Sequence, residues 1–502
     1  MHQAAVAALV VAVVAPVEAV AAPVAVARVA AAVVDPVARV EVAGRAVGLG
    51  RPAAAVAAGV VAILVVLAVP FAARRAVLVS ISEMPRSDTN VADEGARILR
   101  APASGVARLS IPAAQHALEL LDCDAIPDAL STVMPDWAFA ACPDEKHEET
   151  CASVIRMQAD GRYSFRSRWG RDALTGLGLA GATCGAVADI TQAYLDARPG
   201  LLGLHCGAVR IDGQLVIFTG PYRAGKTTLV TRLGMEPGTE LFCDDVLPVE
   251  PGGETVALGI QPRLRLPLPD GIAVPFRRQA TRSITLYDHR YGYVALPGQA
   301  PLGTRAPLAA VVVLTRQEGM PARFSRLRAE DGAACLIRQN IADPGDMTAH
   351  YDEIAGMVER LPCVALEYSN LEEAVALVRA AFAGGRRPEA WVDRRAECRV
   401  APEAAEAVPA ALDHRFKRSS GVIERVIGAD MFLWHIDSRE FYRLNAVGGA
   451  VWTLLENRVT GQEIADLLCE VFPGMGRDLI AADVARLLGP MITRGLVESE
   501  SA

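Results

Sequence analysis

The sequence predicts an α/β chain followed by a small, separate α+β unit at its C-terminal end. Between His205 and Phe382, short apolar runs that read as strands alternate with helical patterns, the order that builds an α/β core. One of these runs, Val216-Ile217-Phe218, leads straight into a glycine-rich turn that opens a helix. After Gly384, a stretch rich in Gly, Arg, Pro, Ala and Glu gives way to three short strand patterns and then three helical ones, a winged-helix-like order.

The elements follow in order. Residues 1–83 are nearly all Ala and Val with scattered Arg, Pro and Gly. Ala53 to Ala73 is an uncharged apolar run long enough to span a bilayer, and MPRSDTNVADEG from Met84 reads as an ordinary polar N-terminus. Three readings fit this segment: GC-rich DNA translated upstream of the true start, a membrane anchor, or a disordered tail.

Residues 84–198 form a lead-in subdomain. In it, Ala152 to Arg166 alternates about Asp160-Gly161 as a hairpin does, and Ala180 to Leu195 reads as a helix. Residues 199–383 form the main domain. Its strands are Cys206–Ile211, Leu215–Thr219, Glu240–Phe242, Leu308–Thr315 and Val364–Tyr368, its helices Thr227–Leu233, Tyr351–Arg360 and Leu371–Phe382, with an added hairpin of Ser283–Tyr287 and Tyr291–Leu296. Residues 384–412 read as a linker. Residues 413–502 hold strands at Gly421–Ile427, Met431–Ile436 and Glu440–Leu444, then helices at Ala446–Leu455, Gln462–Val471 and Leu479–Arg494.

The glycine-rich turn is Gly220-x-x-x-x-Gly225-Lys226-Thr227, in the strand-to-helix setting of a P-loop. Glycines let successive backbone N–H groups converge on phosphate oxygens, and the helix opening at Thr227-Thr228 turns its positive end toward the same anion. Gly220, Ala224, Gly225, Lys226, Thr227 and Thr228 are therefore the expected nucleotide contacts. Lys226 would bring a mobile charge to the β- and γ-phosphates of ATP, and the Thr227 hydroxyl would hold Mg2+. Lys146, Lys226 and Lys417 are the only lysines among 50 Lys plus Arg, so a lysine at this position is not a composition accident.

Downstream, Leu241-Phe242-Cys243-Asp244-Asp245 places two carboxylates at the end of an apolar strand, where a metal or an attacking hydroxyl is met. Adjacent side chains on a strand diverge, which suggests one carboxylate for the metal or the loop and one for the acceptor. A solvated turn pair is the plainer alternative. His205, at the head of the first strand, reads on residue type alone as a core histidine.

Composition excludes several classes. A formal net charge of −8, with arginines scattered among acids, argues against a nucleic-acid binder. The ten cysteines form no C-x-x-C pair or ligand cluster, which fits reduced, buried thiols in a cytoplasmic protein; Cys206 and Cys243, near the glycine-rich turn, read as small buried residues. No short signal-peptide core is delimited at the N-terminus.

LHCGAVRIDGQLVIFTGPYRAGKTTLVTRL, followed by ELFCDDVLPVE, resembles the catalytic domain of HPr kinase/phosphorylase and its relatives. The resemblance extends over about residues 152–382 and is strong from Leu204 to Pro248. It implies a P-loop core of the HPr-kinase type that moves phosphate from ATP, with Mg2+, to a serine hydroxyl. By position, Asp244 would be the base with His205 next to it, and Asp245 with Thr227 would serve the metal. Arg223 stands where relatives often carry glycine and would touch the γ-phosphate as a charge supplied in cis. The resemblance also implies self-association, since HPr kinases are hexamers.

FYRLNAVGGAVWTLLENRVTGQEIADLLCEVFP and the terminal LLGPMITRGLVE resemble the PqqD family over about residues 416–498. Tyr442-x-Leu444-Asn445, Val451-Trp452 and Thr460-x-x-Glu463-Ile464 carry the likeness. The resemblance implies a module that binds the leader of a ribosomally made precursor peptide by adding it as a strand to a sheet edge. Together, the two resemblances imply a serine kinase for such a peptide, with a tethered leader clamp raising the acceptor's effective concentration. The alternatives are a kinase for HPr or another carrier protein, and a nucleotide-gated scaffold that presents peptides without transferring phosphate.

Overall fold

The computed structural model describes residues 106–141 and 153–501, apart from 222, 344, 387, 398–407 and 439. The Ala/Val-rich segment and the start at Met84 lie outside the described residues. Among the described residues, no helix is long and apolar enough to cross a membrane. The chain is mixed α/β and divides into two units near residue 400.

The first unit is built on two large sheets. One has six strands and contains the expected hairpin, Ser153–Met157 against Tyr163–Arg166, with Gly161 at φ 77° in its turn. Helix Leu179–Asp196 covers this sheet, burying Ala182, Ala186, Ile190 and Ala193 along one face against Phe165, Leu118 and Ile155.

The second sheet has ten strands. Gln214–Thr219, Arg305–Arg316 and Cys363–Tyr368 run parallel in its centre, and Thr239–Cys243 pairs antiparallel with Gly207–Ile211 at one edge. Near-continuous Val, Ile and Leu runs suit strands buried on both faces. Val216, Phe218, Val312, Leu314 and Leu366 accordingly join Leu229, Val230, Leu233, Val378 and Phe382 in one core. The long strand Arg305–Arg316 serves two neighbourhoods: its first residues pair with Glu254–Val256 and its last with Cys363–Tyr368.

Several segments differ from the sequence reading. The expected strand Cys206–Ile211 is present as Gly207–Ile211, but a further strand, Leu202–His205, precedes it and pairs with different partners. The expected linker 384–412 contains a strand, Val392–Glu397, that adds in parallel to Arg323–Arg326. Backbone pairing to an open sheet edge overrides a composition that favours loop. Helices Ala125–Val133, Val274–Arg282 and Ala329–Gln339 had no counterpart in the reading.

The second unit holds the sheet Val422–Ile427, Asp430–His435 and Glu440–Leu444, in that spatial order, and helices Ala446–Leu454, Gly461–Val471 and Arg477–Thr493. A second small sheet, in which Arg415–Arg418 lies between Val459–Thr460 and Val497–Glu500, ties the unit's beginning to its end.

Gly489, in helix Arg477–Thr493, lets that helix meet the main chain of Val408; a Cβ there would lie 2.0 Å from the Val408 carbonyl oxygen. Gly489→Ala gains up to about 1 kcal/mol of helix propensity but forces backbone apart, so a net loss of about 1–3 kcal/mol is expected. Faster hydrogen exchange in Arg477–Thr493 of the full chain would register it, and unchanged exchange would refute it.

Candidate functional site

The first unit's site forms where two antiparallel pairings meet. Val246 pairs with His205, and Cys243 pairs with Ala208 across a register shift that follows Leu241. The chain therefore bends at Asp244-Asp245 directly beside the bend between His205 and Gly207, and the Cys206 N–H donates to the Asp245 carbonyl at 3.0 Å. His205 Nε2 lies 3.1 Å from Asp245 Oδ1. Asp244 turns the other way, its Oδ2 accepting from the Arg263 backbone N–H at 2.9 Å. The divergence expected of adjacent carboxylates is present, but His205 belongs to Asp245 and not to Asp244 as the family likeness implied.

Environment separates the two acids further. Asp244 is buried, and burial together with the negative charge of Asp245 raises its pKa to about 6, against the pull of Arg263 and His205. Burial also opposes ionisation of Asp245, but His205, Arg263 and Lys226 outweigh it and hold this carboxyl below the usual range. Asp245 is 42% exposed, so an ion can reach it while it stays charged.

The Gly220–Gly225 loop follows the parallel strand Gln214–Thr219 at its C-terminal end, where α/β sheets hold ligands. Gly220 has φ 146° and a Cβ there would sit 2.9 Å from the Leu314 carbonyl oxygen; Gly225 has φ 96° and packs under Tyr368, whose hydroxyl donates to the Ala224 carbonyl at 3.1 Å. Non-glycine side chains at these two positions would be both strained and crowded. Arg223 takes φ 63° and is exposed on the loop.

Helix Lys226–Leu233 begins at once, with Thr227 and Thr228 half-buried in its first turn. Gly207 lets this helix approach the sheet, since a Cβ there would meet Val230 at 2.6 Å. Lys226 is buried; its Nζ donates to the Gly220 carbonyl at 3.2 Å. Burial lowers its pKa, and the negative charge of Asp245 opposes the shift. Among the described residues no group of three or more His, Cys, Asp or Glu could hold a metal ion.

Beyond the acidic pair opens a cleft lined among others by Trp169, Asp189, Asp244, Asp245, Arg263 and Tyr293. Arg263 was not singled out in the sequence. Its signal, an arginine in a short alternating run some twenty residues after the acidic pair, does not stand out in an arginine-rich chain. Cys206 and Cys243 are buried as expected, and burial raises the Cys243 thiol well above its usual value.

In the second unit, strand Glu440–Leu444 is an edge of its three-stranded sheet. Tyr442 and Leu444 are buried with Val484, Leu488 and Met491 of the last helix, and the Arg494 guanidinium lies 5.4 Å from the centre of the Tyr442 ring. Asn445 caps the next helix by accepting from the Gly448 N–H, and Thr460 with Glu463 forms a capping box. These motif residues fix the module's frame.

No curated protein matches the chain. Among solved structures, TbiB1 in complex with the TbiA(beta) leader peptide is 28% identical over 16% of this chain and 94% of its own, with a TM-score of 0.16. Residues 430–497 match the family model of PqqD, coenzyme PQQ synthesis protein D. The second unit of this chain thus carries a PqqD-family domain over residues 430–497.

Proposed function

We propose that the chain is a kinase that moves the γ-phosphate of ATP to a hydroxyl, a serine by the likeness to HPr kinase, of a ribosomally made precursor peptide held by the PqqD-family domain. The observation that carries this reading is the meeting of Lys226, Asp245 and His205 beside a glycine loop, with Asp244 buried and turned toward an adjoining cleft.

The residues fit a nucleotide. The loop's N–H groups and Lys226 would cradle the phosphates, with Arg223 as a further charge. Thr227 and the exposed, ionised Asp245 would hold Mg2+, which when bound neutralises charge on the phosphates. Asp244, with its pKa near the working pH, is suited to accept the hydroxyl proton as the phosphate leaves ATP. His205 keeps Asp245 oriented and charged. Carrying the leader clamp on the same chain raises the acceptor's effective concentration.

Intact-mass analysis of a precursor peptide incubated with ATP, Mg2+ and the full chain tests this. A gain of about 80 Da that requires both the leader and Lys226 is expected. Transfer to a carrier protein but to no peptide would replace the reading with a carrier kinase. ATP binding without any transfer would replace it with a nucleotide-gated scaffold.

A further inference from the structure

The stretch from Arg263 to Arg290 carries six arginines and two aspartates, with no lysine or glutamate, in a chain of formal net charge −8. It forms a small lobe: strand Arg263–Arg265, helix Val274–Arg282, strand Ile284–Tyr287, and the paired strand Tyr291–Val294. The helix buries Phe276 and Ala280 and leaves Arg278 and Arg282 exposed. One aspartate is fully used inside the fold: Asp288 accepts from the N–H groups of Gly181, Arg290 and Tyr291. Arg277 is likewise used, donating to the Leu268 and Pro269 carbonyls.

This lobe is continuous with the cleft. On strand Arg263–Arg265, Leu264 enters the core, so Arg263 and Arg265 share the other face; Arg263 lines the cleft and Arg265 is exposed one step further out. The Arg263 guanidinium donates to Cys184 Sγ at 2.6 Å and lies 4.5 Å from the centre of the Tyr291 ring. Among the described residues no carboxylate lies within ion-pairing distance of it. Asp244 accepts from the Arg263 backbone N–H at 2.9 Å, and both acids line the cleft together with Arg263. Arg263 and the lobe behind it therefore lie on the side from which an acceptor must come.

We propose that the acceptor is an acidic peptide segment, whose side-chain carboxylates beside the accepting hydroxyl pair with Arg263 in the cleft and with the exposed Arg278 and Arg282 outside it. A guanidinium fork matches a carboxylate in two parallel hydrogen bonds. Exposed arginines on the helix add steering. A nucleic acid is the poorer fit, because the lobe offers a single exposed large aromatic, Tyr287, for stacking bases. The word acceptor rests on the kinase reading; the peptide-binding surface does not.

The test uses two dye-labelled, leaderless, C-terminally amidated peptides: a serine flanked by Asp and Glu, and its Asn/Gln isostere. Amidation removes the chain terminus as a source of carboxylate. Binding to the full chain by anisotropy and phosphate transfer by mass are read together, with wild type and the double variant Arg278→Gln with Arg282→Gln. The acidic peptide should bind about tenfold tighter than its isostere, and the gap should shrink at least about threefold in the double variant and with added salt. Leader binding should not change in the variant.

Equal binding of the two peptides, or displacement by a single-stranded oligonucleotide at lower concentration than by the acidic peptide, overturns the proposal. Acid-selective binding lost in the variant, without transfer to any peptide, would uphold the surface and overturn the kinase reading. Transfer to both peptides with equal efficiency would do the reverse.

Discussion

Lys226→Ala is expected to reduce phosphate transfer by about a thousandfold or more, some 4 kcal/mol of transition-state stabilisation, while leader binding stays unchanged. Lys226 is buried at the base of the loop, its Nζ held by the Gly220 carbonyl, with the ionised Asp245 as the neighbouring charge. A buried ammonium with so few partners is poorly solvated, and phosphate oxygens would complete its hydrogen bonds. Lys226→Arg should not restore activity. The planar guanidinium is bulkier than an ammonium and cannot replace a compact, mobile charge. Single-turnover assays with saturating peptide measure the effect directly. Retention of more than about a tenth of wild-type transfer by Lys226→Ala would remove the loop from the chemistry.

The contrast between the two units shows what a sequence can disclose. Elements with strong local signals are found nearly where expected: helix Leu371–Phe382, strand Glu440–Leu444 and the hairpin about Gly161. Each has clear periodicity and capping or turn residues, such as Asn370 before Leu371. Val392–Glu397 was illegible because its structure comes from an open edge supplied by residues far away in sequence. Helix Val274–Arg282 was illegible for a different reason: a two-residue buried face, Phe276 and Ala280, gives almost no apolar period.

The site was legible as a set of residues and less so as a set of partners. Gly220, Gly225, Lys226, Asp244 and Asp245 stand out by spacing and position, His205 only by the family likeness. Which acid takes His205 depends on the register of Val246 opposite His205, a long-range pairing that spacing does not encode. Arg263 reaches Asp244 through its backbone N–H, a role open to any residue but proline and so invisible as a side-chain motif.

That backbone contact permits a sharper test of Asp244. If Asp244 is the group that must lose its proton, transfer in the wild type rises with pH through about 6, because burial and Asp245 hold Asp244 there. Asp245 contributes no limb in this range, since its carboxyl is held below the usual values. Arg263→Gln keeps the N–H that donates to Asp244 and removes only the positive charge. The charge favours the ionised carboxylate, so its loss should raise the pKa of Asp244 and move the acid limb to higher pH. His205→Asn should move it in the same direction, because His205 also favours the ionised form. Asp244→Asn should remove the limb together with about a hundredfold or more of the rate. A limb that stays fixed in Arg263→Gln, or moves to lower pH, would assign the titration to another group. A fully active Asp244→Asn would show that positioning by the loop and Lys226 suffices, with the proton leaving after transfer instead of during it.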